Sequence, residues 1–224
     1  MATTARQEDF AAKLRGMGPV GIAAALIVVG ANLVIAPVGA VLALAWAWLA
    51  KVRWADIGFR APRSWAVTLL GGIFGGIIFK LLMKALVMPL LGGPAVNAHF
   101  HFIAGNQAQM ISMILASIIV GGFGEEIVYR GFLFDRLWRL LGESKGTTIA
   151  IVTATTILFG VIHIPEQGWA GAEQAFITGL TFGTIYAVTR SLWLPIVMHA
   201  AFDVTAVLLI YFQLEATVAH SILG

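Results

Sequence analysis

Six long apolar runs, at 19–50, 65–91, 109–141, 147–164, 175–189 and 192–211, dominate this chain of 224 residues. Crossing roughly 30 Å of hydrocarbon takes about 20 apolar residues of helix. A chain built from such runs folds as an all-α, polytopic transmembrane bundle, here of about six to eight spans. Composition agrees: 59% of residues are hydrophobic and 11% charged. A water-soluble domain of this size would lack the polar residues needed to cover its outside. With no cysteine, disulfides, thiol nucleophiles and Cys-ligated metals are excluded. The net charge of +3 is spread between apolar runs, which argues against a nucleic-acid partner and makes the lipid bilayer the partner of most of the surface.

Charge sets the expected topology. Lys13 and Arg15 precede the first run, and Lys51, Arg53, Arg60 and Arg63 follow it. If loops rich in Lys and Arg lie in the cytoplasm, both ends of 19–50 are inside and the run crosses twice. Asn32 and Pro37 near its middle mark the turn, or a kink if the run is one long helix. Residues 92–108 contain no Lys or Arg, 136–145 contain Arg136, Arg139 and Lys145, 165–174 carry only Glu166 and Glu173, and Arg190 follows the next run. The alternation implies about seven crossings with the N-terminus cytoplasmic. The polar opening 1–15 leads into a run too long for a signal-peptide core and is expected to be retained. GGIFGGII (71–78) and TATT (153–156) read as small-residue packing surfaces between helices. His99 and His101 resemble a zinc pair by spacing but have no acid nearby, so an interfacial place is expected; His220 carries no signal.

A few ionisable groups fall inside the runs, where each costs about 2.5–3.5 kcal/mol on insertion scales and marks a functional site by default. Most ionisable groups lie in loops or toward the ends of the runs; those set apart are Glu125, Glu126, His163, His199 and Asp203, with Arg130 close by. Glu126 and Arg130 are four residues apart and stack on one helix face, an ion pair by expectation. Glu125 points about 100° away and is left free to act as a base. Tyr129 is placed to hydrogen-bond it. His199 and Asp203 share a face, as do Phe159 and His163, and Asp203 is expected to accept the ring N–H of His199. Counting a rise of about 1.5 Å per residue from the inner ends brings Glu125 and His163 to one level, with His199 and Asp203 near it. Three helices are thus expected to converge on one polar pocket opening toward the cytoplasm. A base, a water and an oxyanion donor suffice for amide hydrolysis.

The segments EEIVYR (125–130), FGVIH (159–163) and HAAFD (199–203) resemble, in order, the EExxxR, FxxxH and HxxxN/D motifs of the CAAX protease and bacteriocin-processing (CPBP, or ABI) family, intramembrane endopeptidases that include the type II CAAX prenyl endopeptidases. WADIGFRAPRSW (54–65) resembles bacterial members. The resemblance divides the chain into N-terminal transmembrane helices, 1–108, and a catalytic core, 109–214, within one membrane domain. It implies that Glu125 activates water and His163 positions it. Glu126, Arg130 and Phe159 would support the site, while His199 and Asp203 stabilise the oxyanion. Many relatives have Asn where this chain has Asp203, so Asp203 is the departure from the pattern. Glutamate-and-water catalysis without a required metal is the favoured form. Zinc held by Glu125, His163, His199 and Asp203 is the alternative, making a metalloendopeptidase. The implied partner is a peptide or protein substrate, lipidated or not, and the implied place is a bacterial inner membrane. A proton-coupled transporter and a non-catalytic immunity or scaffold protein are the competing classes.

Overall fold

The structure, a computed structural model, describes residues 2–223, with side chains from Ala5 onward. It is all-helical among those residues: α1 Ala2–Arg15, α2 Pro19–Val34, α3 Ala36–Leu49, α4 Trp65–Leu90, α5 Gln107–Leu141, α6 Lys145–Ile162, α7 Ile164–Thr189, α8 Trp193–Tyr211 and α9 Glu215–Leu223. Local chemistry sets the ends. Ser64, Asn106 and Ser144 accept the backbone N–H three residues on and so cap α4, α5 and α6. Gly142 stops α5 with a φ of +79°, which glycine adopts without strain.

The first apolar run doubles back, as the charge pattern implied. Ile35 is extended between α2 and α3, and Pro37 starts the second helix. A Cβ on Gly39 would lie 2.3 Å from Asn32 Cβ, so the turn needs glycine there. Arg15 Nη1 donates to Ala50 O at 2.6 Å and Trp46 Nε1 to Leu14 O at 3.2 Å, which brings both ends of the run together.

The expectation of seven crossings is not matched by the helix lengths. Four helices (α4, α5, α6 and α8) are long and apolar enough to cross a membrane; joining α1 and α2 across their 62° bend gives five. The 16 and 14 residues of α2 and α3 fall short of a full span. α7 is broken at Gly168, where the backbone leaves helical φ/ψ, and it carries Glu166, Gln167, Glu173 and Gln174 in its first half. The chain is an integral membrane bundle, and its lipid-facing surface includes Leu26, Val67 and Val188, the last 80% exposed.

The bundle has two chemically distinct ends. At one, Arg136 donates to Arg15 O and Gly16 O at 2.7 and 2.6 Å, Arg190 pairs with Glu143 at 2.9 Å, Ser191 Oγ donates to Arg60 O at 3.2 Å, and Lys51 pairs with Glu8. Arg53 holds the Asp56 carboxyl below its ordinary range on this end, by a hydrogen bond and by its charge. At the other end Gly105 N donates to Tyr211 O at 3.0 Å and Asn97 N to Glu215 at 3.1 Å. The loops that meet there contain no Lys or Arg.

Close helix approach positions the middle. α8 lies against α4 through Gly72 and Gly76; a Cβ on Gly76 would fall 2.3 Å from Met198 O. The same helix approaches α5 at Gly121 and Gly122, and α6 meets α7 where Gly160 faces Phe176. GGIFGGII is therefore a packing surface, as read. Gly76→Leu is expected to lower the unfolding midpoint in detergent by the equivalent of about 1–3 kcal/mol or more, since neither backbone has room to yield. Gly71→Ala, where a Cβ meets nothing within 4 Å, should leave it unchanged or raised. Equal effects from the two would contradict this packing.

Candidate active site

The segment that carries the paired glutamates is not a regular α-helix. Ser117–Glu125 and Ile127–Phe132 form wide π-type turns on either side of Glu126. Such turns break the 3.6-residue register and recur at functional sites. They displace the side chains from the positions that regular helical arithmetic assigns. The only local hint of this was the glycine-rich GGFG at 121–124.

Glu126 is fully buried and holds two partners on one oxygen. Arg130 Nη1 donates to its Oε1 at 2.7 Å, and His199 Nδ1 lies 2.8 Å from the same atom. Beside Arg130 this carboxylate accepts and does not donate, so the hydrogen belongs on His199 Nδ1. Arg130 also donates to Gly179 O at 3.3 Å, and its guanidinium lies 4.7 Å from the centre of the Phe159 ring. Arg130 and Glu126 together thus tie α5 to α6, α7 and α8. The expected Glu126–Arg130 pair is present, and Phe159 packs as read. The partner of the His199 Nδ1 differs from the expectation: it is Glu126, not Asp203. Asp203 Oδ2 instead faces the other ring nitrogen, Nε2, at 3.4 Å.

Glu125 reaches past His199 toward open space, 16% exposed, with Oε2 3.9 Å from His199 Nε2 and beyond hydrogen-bond reach. Tyr129 does not hold it; the phenol accepts from Asn32 Nδ2 at 2.9 Å and stacks edge-on against Phe159. Asn32 therefore serves as more than a turn residue, because it buttresses the site helix from α2. His163 ends α6, where its Nδ1 meets Phe159 O at 2.6 Å. A carbonyl only accepts, so Nδ1 carries the hydrogen and Nε2 presents a lone pair.

Glu125, His163, His199 and Asp203 all line one cavity of about 500 Å³. Gly121 makes room for this group; a Cβ there would sit 2.6 Å from Asp203 Oδ2. The convergence of three helices on one pocket matches the expectation, but the pocket opens the other way. Its outer wall is built from Pro94, Ala98, His99, Glu166 and Trp169, all exposed and all at the end without Lys or Arg loops. Toward the basic end the space is filled by Trp46, Phe132, Phe134, Ile151 and Tyr186. The arithmetic had equated helix ends on the basic side with the entrance, whereas the cavity uses the other halves of α4, α5, α7 and α8. His99 stands at the mouth and His101 is exposed in the same loop, the interfacial place expected for them.

Among the described residues no three His, Asp or Glu side chains stand as ligands for one metal ion. His199 has Nδ1 committed to Glu126, leaving a single ring nitrogen toward Glu125 and Asp203. Lys80, Lys84 and Gln174 also line the cavity and were not singled out from the sequence, because the two lysines lie toward the end of an apolar run.

Comparison with known proteins follows the same residues. A model of the family described as type II CAAX prenyl endopeptidase Rce1-like matches residues 107–205. Over 106 residues the chain is 29% identical to a protein of Bacillus subtilis (strain 168) named "Putative membrane peptidase YdiL"; the match covers 46% of this chain and 38% of that protein. No solved structure matches the chain. The matched segment, residues 107–205, holds Glu125, Glu126, Arg130, His163, His199 and Asp203, so over that part the chain is similar to the Rce1-like, type II CAAX prenyl endopeptidases.

Proposed function

We propose that the chain is an intramembrane endopeptidase in which Glu125 activates a water molecule inside the cavity. The observation that carries this reading is the meeting of a free carboxylate, two imidazoles with set orientations and a second carboxylate on one blind cavity of about 500 Å³. Glu125 takes a proton from water as the oxygen bonds to the peptide carbonyl carbon. His163 Nε2 accepts the second hydrogen of that water and so aims the nucleophile. The developing oxyanion takes a hydrogen bond from Nε2–H of His199 in its imidazolium form, whose Nδ1–H is held by Glu126 and whose Nε2 has Asp203 beside it. The C–N bond then breaks, and the proton on Glu125 passes to the leaving amine. Glu126, Arg130 and Phe159 hold the ring geometry without touching substrate. No step passes through a metal ion.

The relative named as a membrane peptidase supports the reaction class. The packed apolar half beneath the cavity favours a blind site over a proton path across the membrane. In proteoliposomes, a peptide library that includes prenylated and unmodified leader-type sequences should yield cleavage by the wild type. Glu125→Gln and His163→Ala should lower kcat by about 100-fold or more, a loss of the size that general-base removal produces. Cleavage should survive a chelator. Loss with chelator and recovery with zinc would replace the glutamate mechanism by the metal-dependent one; proton flux without cleavage would replace the peptidase by a transporter.

If the basic end faces the cytoplasm, the cavity opens on the opposite side, toward the outer leaflet of a bacterial inner membrane. A segment presented outside the cytoplasm, lipidated or not, then suits the site better than a cytoplasmic C-terminus. The natural absence of cysteine makes this simple to test. In intact cells a membrane-impermeant maleimide should label Ala98→Cys at the mouth and spare Ala61→Cys at the basic end. The reverse labelling would turn the protein over.

A further inference from the structure

Lys80 contributes a second polar feature to the cavity from outside the family-matched segment. Its residue is 7% exposed, on α4, and its Nζ donates to Gln174 Oε1 at 2.8 Å while lying 4.8 Å from the centre of the Phe202 ring. One turn along, Lys84 is paired with Glu215 at 3.3 Å, and Glu215 is fixed further by Asn97 N. Lys80 has no such ion pair within 4.0 Å among the described residues. An ammonium carries three donors, and a neutral amide oxygen occupies one of them. A buried cation left with a neutral partner is costly unless an anion or water joins it.

Its surroundings suit an anion of the substrate. Gln174 turns its oxygen to Lys80, which leaves its own amide N–H groups available beside the ammonium. Phe202 precedes Asp203 in the chain, so this wall adjoins the side of the cavity where His199 and Asp203 stand. Resting on the peptidase reading, we propose that Lys80 and Gln174 form a carboxylate-binding subsite that anchors the substrate in the cavity lined by Glu125, His199 and Asp203. The carboxylate is either the free C-terminus of the cut chain or an acidic side chain close to the cut. Lys80 acts in specificity and positioning, and the chemistry stays with the carboxylate and imidazoles. A lysine serving only to balance the charge of Asp203 would affect every substrate alike.

The test uses the full chain in proteoliposomes and one peptide sequence in three forms: free C-terminal acid, C-terminal amide, and amide with Glu as the last residue. The wild type should prefer one or both carboxylate-bearing forms over the plain amide by about tenfold or more in kcat/KM, the size expected for a charge-assisted hydrogen bond. Which of the two is preferred identifies the source of the carboxylate. Lys80→Met should abolish the preference chiefly through KM, bringing the carboxylate-bearing forms down to the rate of the plain amide, and Lys80→Arg should keep part of it. Equal losses on all three peptides, or a wild type without preference, would overturn the subsite. Binding of the same peptides to Glu125→Gln protein, with and without Lys80→Met, separates this proposal from the reaction. Preferential binding that depends on Lys80 supports the subsite even if no peptide is cut, an outcome that would count only against the peptidase reading.

Discussion

A single carboxylate oxygen, Glu126 Oε1, joins the guanidinium of Arg130 to the ring of His199 in a part of the bundle closed to solvent. A buried carboxylate without partners would cost several kcal/mol, and removing one partner of a buried pair typically costs about 3–5 kcal/mol. Arg130 therefore makes Glu126 tolerable, and Glu126 in turn sets the plane of the His199 ring and keeps a hydrogen on its Nδ1. Because Arg130 also reaches Gly179 O and the Phe159 ring, the same contact fixes how α5, α6, α7 and α8 stand around the cavity. The free groups, Glu125 and Asp203, then face the ring nitrogen that Glu126 leaves open.

The membrane environment explains why the site occupies only one half of the bundle. Around α8, close approach at Gly72, Gly76, Gly121 and Gly122 provides attraction that hydrophobicity cannot supply between helices in lipid. Toward the basic end large aromatic and aliphatic side chains complete a dry core. Toward the other end α7 carries Gln167, Gln174 and Thr178 into the cavity, and polar walls replace apolar ones. Water admitted from one side and excluded from the other is what the proposed hydrolysis within a bilayer requires, since open access from both sides would make a leak.

Much of the site was legible because an ionisable residue in an apolar run has few innocent explanations. Glu125, Glu126, His163, His199 and Asp203 stood out for that reason, and regular spacing paired Glu126 with Arg130. Three features escaped. The choice of Glu126 over Asp203 as the partner of His199 Nδ1 depends on the register between α5 and α8, which local spacing does not encode, and on the wide turns at Ser117–Glu125 and Ile127–Phe132. The direction of the mouth depends on where packing leaves space, a property of side-chain volumes from five helices. Lys80 was passed over because a lysine toward the end of an apolar run ordinarily reaches for the interface; here it turns inward to Gln174. The doubling back of 19–50 was readable from flanking charges, whereas the number of spans was not, since α2 and α3 are short and α7 is polar on its cavity side.

The account stands or falls on the bridge from Arg130 through Glu126 to His199. Nitrogen-15 NMR of the histidine rings, in the detergent-solubilised wild type and in Glu126→Gln, reads it directly. His199 should carry a hydrogen on Nδ1 and its ring signals should move strongly in the variant, while those of His163, held by Phe159 O, stay in place. A His199 ring indifferent to Glu126→Gln, with His163 unmoved as evidence of an intact fold, would contradict the account.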